Sequence, residues 1–226
     1  MTKYSNITSF LFVVLICLVF VNQVCLAGSR NGNLEYWQKE VVSVDINKDF
    51  TFTAAQELRF GRHHGNPYFH NIDLGVVYKG FADWVDIGFN FKKEYEQDNN
   101  RRFRHENRPH LNLTLKTKIW DLDYSNRSRL EWRDFENKED FWHYRNLSTV
   151  KFPVKFTKYN LQPYVAEEFF IRLPEDNINE NRLSSGFAYA VTDNIKGSIF
   201  YMLRKIKGSD GWFDTNVIGL QFKFLF

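Results

Sequence analysis

From residue 37 onward the chain repeats one pattern: apolar and polar side chains alternate with a period of two, in segments of about ten to fifteen residues parted by turn formers. Successive side chains of a strand point to opposite faces, so each segment has an apolar face and a polar one. The pattern is sharpest from Leu122 to Asp134, where Arg127, Arg129, Glu131 and Arg133 share one face and Leu130 and Trp132 the other. It persists through the last ten residues. There Ile218, Leu220, Phe222, Phe224 and Phe226 have one parity, and Val217, Gly219, Gln221, Lys223 and Leu225 the other. No segment keeps apolar residues at helical spacing. The chain is therefore expected to be all-β.

Read in order, Trp37 to Ile46 forms the first strand, followed by a tight turn at Asn47-Lys48-Asp49. From Phe50 to Phe60, the residues Phe50, Phe52, Ala54, Leu58 and Phe60 oppose Thr51, Thr53, Glu57 and Arg59. Ile72, Leu74, Val76 and Tyr78 mark the third strand, and Val85, Ile87, Phe89 and Phe91 oppose Asp86, Asn90, Lys92 and Glu94 on the fourth. The fifth runs to about Ile119, with Leu111, Leu113 and Leu115 against Asn112, Thr114, Lys116 and Lys118. On the seventh, apolar residues from Trp142 to Phe156 oppose His143, Arg145, Lys151 and Lys155. Leu161 to Arg172 is the eighth. On the ninth, Leu183, Phe187, Tyr189 and Val191 oppose Arg182, Ser184, Gly186, Ala188 and Ala190. Ile195 to Lys205 and Gly211 to Phe226 bring the count to eleven. Short turns alternate with longer polar loops at 61–67, 97–102, 135–140 and 173–180.

A soluble β-sandwich would also alternate, burying its apolar parity and wetting the charged one. Three features favour a barrel with lipid outside. Aromatics make up 18% and charged residues 25% of the chain, so apolar and polar faces are both plentiful. Trp84, Trp120, Trp132, Trp142 and Trp212 lie near strand ends, as interfacial girdles require. The charged parity also stays charged to mid-strand. An Arg at the midplane of a lipid-facing wall costs about 2–4 kcal/mol, so the Arg ladder must point inward. The expected fold is an antiparallel up-and-down transmembrane β-barrel. Bacterial barrels usually have even strand numbers, so ten to twelve strands are expected and twelve favoured over the eleven counted. The closing strand, with Ile218, Leu220, Phe222, Phe224 and Phe226 toward lipid, is expected to pair antiparallel with Trp37 to Ile46.

Met1 to Ala27 reads as a cleaved secretory signal, leaving residues 28–226 as one domain. Lys3 supplies the basic start, Phe10 to Val21 the apolar run, and Cys25-Leu26-Ala27 the small residues before the cut. Both cysteines, Cys17 and Cys25, fall in this segment, so the remainder has no disulfide and no Cys-ligated metal. A charge near neutrality carries no nucleic-acid signature. The remainder also has no apolar run long enough for a membrane helix, so a spanning form would have to be a barrel. The expected location is the outer membrane of a Gram-negative cell. The expected partners are outer-membrane lipid and the assembly machinery that reads a terminal aromatic strand.

Several local patterns carry a family likeness: Asn126-Arg127-Ser128-Arg129-Leu130-Glu131-Trp132-Arg133; His143-Tyr144-Arg145; Pro163 with Glu167-Glu168-Phe169-Phe170; Arg182; and Gly186-Phe187. With Trp37 and Tyr78-Lys79, they resemble an outer-membrane barrel family, domain of unknown function 2490. The resemblance implies a barrel and brings no activity. A weaker likeness, in size and interior character only, is to small Arg-lined oligosaccharide porins.

The candidate site is the inward parity: Glu57, Arg59, Lys116, Lys118, Arg127, Arg129, Glu131, Arg133, Arg145, Glu168 and Arg182. Guanidinium groups grip carboxylate or phosphate bidentately, so one reading is a channel that passes small or anionic solutes. The other reading is an internal Arg–Glu network that plugs a narrow barrel and leaves the loops as an interaction surface. Ten to twelve strands lie between the filled and the open regimes. No enzyme is expected and no cofactor or metal is required. Ser125, Ser128 or Ser184 with His143 is the only hydrolase pairing to consider, and it has no motif. His63-His64 with His70, and His105-Glu106 near His110, read as ordinary histidines rather than metal ligands.

Overall fold

A computed structural model describes residues 33–61, 66–98, 100–136, 138–157, 160–175 and 177–226. Residues 1–27, expected to be a secretory signal, and His63-His64 lie outside them. The strands are β1 (Asn33–Asp45), β2 (Phe50–Phe60), β3 (Phe69–Ala82), β4 (Val85–Gln97), β5 (Phe103–Ile119), β6 (Leu122–Phe135), β7 (Phe141–Lys151), β8 (Gln162–Leu173), β9 (Asn177–Ala190), β10 (Ile195–Gly208) and β11 (Gly211–Leu225). Each pairs with its sequence neighbours and the ring closes between β11 and β1.

The favoured count of twelve is wrong: the described residues form a closed barrel of eleven strands. The expected antiparallel seam is wrong for the same reason. Each hairpin reverses the chain, so the first and the eleventh strand run the same way and can only pair in parallel. They do so from Asn33↔Thr215 to Ser43↔Leu225. The chain end is tied in: the Phe226 N–H donates to the Ser43 carbonyl and the Asp45 N–H to the Phe226 carbonyl, each at 2.9 Å. The other ten pairings are antiparallel.

Two boundaries differ from the sequence pattern. Alternation through Phe152, Val154 and Phe156 suggests a continuous seventh strand, yet β7 ends at Lys151. Pro153 cannot donate to a ladder, and the segment bends into a hairpin held by the Phe156↔Leu161 bridge. Conversely, residues 177–180 read as polar loop but begin β9.

The two rims are unlike. One carries the turns at 46–49, 83–84, 120–121 and 191–194, the 152–161 hairpin, and Phe226. The other carries the longer connections from β2 to β3, β4 to β5, β6 to β7 and β8 to β9, and a tight turn at 209–210. Gly211 closes that tight turn at φ +119, a conformation L side chains rarely adopt.

The wall is apolar outside and polar inside. Ile72, Leu74 and Val76, then Ile87, Phe89 and Phe91, then Leu111, Leu113 and Leu115, and Ile218 are exposed outward. Glu94, Glu106, Arg129, Glu131, Arg145 and Glu168, of opposite parity, are buried. Trp84 and Trp120 stand exposed at the short-turn rim and Trp142 and Trp212 at the long-loop rim. Trp37 instead points inward, 6% exposed, against Met202 and Val217. Leu220 and Phe222 share the outward face of β11 with Ile218, Phe224 and, at its end, Phe226.

Toward the long-loop rim the outward face carries Lys93 on β4, the Asn107–Asp134 pair and the Lys205–Asp214 pair, and nearer mid-strand two clusters of polar residues interrupt it. One is at the seam, where Gln38 and Glu40 on β1 meet Gln56 on β2. Glu40 is only 5% exposed there, covered by its own chain. The other lies across β6–β9.

Candidate functional site

Period-two alternation places charged residues of neighbouring strands on one inward surface, and pairing register then sets who meets whom. Cross-strand neighbours stand about 4.5–5.5 Å apart, and diagonal ones remain within reach of long side chains. Glu131 lies opposite His110 on β5 and His143 on β7, with Arg129 and Arg145 one step along the same face. Glu131 is 0% exposed. Its Oε1 accepts from Arg145 Nη1 at 2.9 Å and from Arg129 Nη1 at 3.2 Å. Its Oε2 lies 3.7 Å from Arg108 Nη1 and 3.6 Å from His143 Nδ1.

Two further carboxylates extend this layer. Glu168 Oε1 accepts from Arg127 Nη2 at 3.0 Å and Arg145 Nη2 at 2.9 Å, while its Oε2 takes Arg182 Nη1 at 3.5 Å. Glu180 accepts from Arg182 Nε at 2.6 Å and Arg204 Nε at 2.7 Å. On the loop side, Glu106 takes Arg133 Nε at 2.6 Å and also pairs with Arg108, whose Nη2 reaches Glu94 at 2.5 Å. Aromatics fill the space between guanidinium groups: Arg59 lies 3.7 Å over Trp37, Arg182 4.4 Å and Arg145 4.5 Å over Phe170. Buried cations thus alternate with buried carboxylates, the arrangement that makes burial tolerable.

Below this layer, toward the short-turn rim, the interior opens into a cavity of about 790 Å³. Trp37, Glu57, Arg145, Glu168 and Arg182 form its floor. Its walls carry Lys39, Arg127, Lys151, Lys155, Lys196 and Lys223 among hydroxyl and amide side chains such as Ser125, Thr149, Ser198 and Gln221. Lys196 and Lys223 are register partners. Among the described residues, Lys151, Lys155, Lys196 and Lys223 make no ion pair. Arg127 keeps only its bond to Glu168, and its buried Nε has no hydrogen-bond partner. The carboxylates at the cavity are already engaged, Glu57 by Arg59 at 2.6 Å and Glu168 by its three arginines. The cavity is left with a surplus of positive charge.

The eleven sequence candidates all lie on the inward parity but separate into groups. Arg127, Arg129, Glu131, Arg145, Glu168 and Arg182 form one connected network. Glu57 and Arg59 pair beside it, and Arg133 belongs to the Glu106 cluster nearer the long loops. Lys116 and Lys118 stand apart near the short-turn rim, paired with Asp86 at 2.6 Å and Asp123 at 3.7 Å. Sequence reasoning missed Lys39, Glu106, Arg108, Glu180, Arg204, Lys196 and Lys223. Glu106 and Arg108 share the parity of Asn112 and Thr114, so the same alternation extended toward the N-terminus would have found them.

Ser128 points outward and His143 inward, so they cannot form a hydrolase pair. Ser184 Oγ donates to the Ala166 carbonyl at 3.3 Å. His70 stacks on Tyr95 at 4.6 Å on the outer wall. Among the described residues no cluster of three or more His, Cys, Asp or Glu could hold a metal ion.

A family model described as "Protein of unknown function (DUF2490)" matches residues 34–215. No curated protein and no solved structure matches the chain.

Proposed function

This chain belongs to the DUF2490 family, and we propose that it is an outer-membrane barrel with a closed centre, whose cationic vestibule binds small anionic solutes at the short-turn rim. The apolar outer wall and the tryptophans near both rims support the membrane setting, because they match a hydrocarbon belt with interfacial girdles. In the usual orientation of such barrels, short turns and the C-terminus face the periplasm, so the vestibule is filled from that side.

The observation that carries the binding role is the vestibule's set of lysines without ion pairs above a floor of fully engaged carboxylates. A cavity of about 790 Å³ lies within the usual range for small-molecule sites. Its cations and hydroxyls suit an anion bearing further hydrogen-bonding groups. The channel that the Arg-rich parity suggests would require the Glu131 layer to part, and that layer holds several buried ion pairs. The vestibule needs no such rearrangement.

Binding of tripolyphosphate to the refolded barrel, followed by calorimetry at low salt, tests the reading. A net charge-assisted hydrogen bond contributes about 1.5 kcal/mol or more, so Lys196→Ala with Lys223→Ala should weaken binding at least about tenfold. Affinity unchanged by that pair of substitutions would refute the vestibule as the binding site.

A further inference from the structure

At mid-strand, the outer wall carries a polar patch. Asn126 and Ser128 on β6, Asn146 and Ser148 on β7, and Glu167 on β8 point outward in adjacent register, Asn126↔Ser148↔Glu167. The row is bracketed by Leu115 on β5 and Leu183 on β9, both exposed. Strands are spaced about 4.8 Å, so the patch is about 10 Å wide. Its amides pair reciprocally: Asn126 Nδ2 donates to Asn146 Oδ1 at 2.8 Å, and Asn146 Nδ2 to Asn126 Oδ1 at 3.1 Å. Ser128 Oγ joins through Asn146 Nδ2 and the Tyr144 hydroxyl, each at 3.0 Å. Glu167 is exposed, and Asn181 donates to one of its oxygens at 3.0 Å.

Bonding within the patch lowers its cost in hydrocarbon but does not remove it. Each amide oxygen retains a lone pair, and the Glu167 carboxylate faces a medium without water. Polar groups at membrane depth are found facing protein rather than lipid. The seam cluster at Glu40 meets that condition within its own chain, whereas the β6–β8 patch does not.

We infer that this patch is the contact between two copies of the barrel in the membrane, an inference that rests on the outer-membrane reading above. The patch carries donors and acceptors on the same few residues, so its two-fold image is its own complement, as an isologous interface requires. Its centre, the Asn126–Asn146 pair, is neutral and calls for no charged partner. Glu167 stands about 7 Å to one side, so the two carboxylates stay clear of the axis instead of repelling each other across it. The leucines at 115 and 183 continue the contact as apolar packing on either side.

Single cysteines test the contact in a chain also carrying Cys17→Ser and Cys25→Ser, which removes the two native cysteines. Oxidised in lipid vesicles, Ser128→Cys and Asn146→Cys should each give a disulfide-linked dimer. Leu74→Cys, outward on β3, should give none. Light scattering of the unmodified barrel in mild detergent should show two copies per particle. Heat-modifiable gel mobility reports folding and insertion independently of these results. A barrel that inserts but stays monomeric and uncrosslinked at positions 128 and 146 overturns the contact and leaves the membrane reading standing. A crosslink to a different protein overturns it as well. A chain that does not insert into lipid overturns both.

Discussion

Replacing Glu131 by glutamine removes one buried negative charge with almost no change of shape. Three cations surround that carboxylate, and they differ in what else they hold. Arg145 keeps Glu168 at 2.9 Å, and Arg108 keeps Glu94 at 2.5 Å together with Glu106. Arg129 keeps only the Asn112 amide oxygen at 2.6 Å. The variant therefore leaves one uncompensated buried cation rather than three. Breaking a buried ion pair from one side costs about 3–5 kcal/mol, whereas removing both partners is often nearly neutral. Glu131→Gln should lose about 3–5 kcal/mol of unfolding free energy. Arg129→Gln added to it should recover at least about 2 kcal/mol, a positive coupling of the size seen between contacting residues. Urea unfolding in lipid vesicles, read by gel mobility and tryptophan fluorescence, measures both variants. A single-variant loss below about 1 kcal/mol, or strictly additive effects, would refute the reasoning that Glu131 holds the central layer together.

Three other perturbations probe separate parts of the structure. Gly186→Ala would place its Cβ 2.2 Å from the Ile199 carbonyl oxygen, a backbone atom that cannot step aside. Overpacking of this kind costs about 1–3 kcal/mol in the same unfolding assay. Trp37→Ala empties the ring that packs on Met202 and Val217 and lies under Arg59, and it should cost about 3–5 kcal/mol. At the 98–102 turn, the backbone N–H of Arg102, then that of Asn100, and the Arg104 guanidinium hold the Asp98 carboxyl below its ordinary 3.8. A lowered carboxyl contributes stability above its ordinary value and loses it as pH falls through the lowered one. Protection of the Asn100 and Arg102 amides, taken relative to the intrinsic exchange rate at each pH, should therefore fall as the pH is lowered below 3.8, and Asp98→Asn should remove that fall.

The parts of this fold written in local alternation were legible from residues alone. Thr51, Glu57 and Arg59 against Phe50, Phe52 and Phe60 assigned both faces of β2, and Arg127 to Arg133 did the same for β6. What alternation does not encode is the closure. The parallel seam follows from an odd number of strands, and eleven departs from the even number usual in bacterial barrels. β1 was opaque because its outward side carries Gln38 and Glu40 while its inward side carries Trp37, so polarity there does not separate the faces. The network's inward parity was readable, but its connectivity was not. Arg145 joins Glu131 to Glu168 through a diagonal that depends on register, and Glu180 looked like loop because Asn177, Asn179 and Glu180 lack an apolar alternation. The vestibule was hidden for a related reason. Which lysines remain without carboxylates is a property of packing, not of spacing.

Planar-bilayer recording of the unmodified barrel tests the closed centre most directly. With the Glu131 layer intact, reconstituted protein should pass no steady ionic current across the membrane, at low or high salt. A sustained, anion-selective conductance from that same protein would contradict a closed centre and restore the open channel.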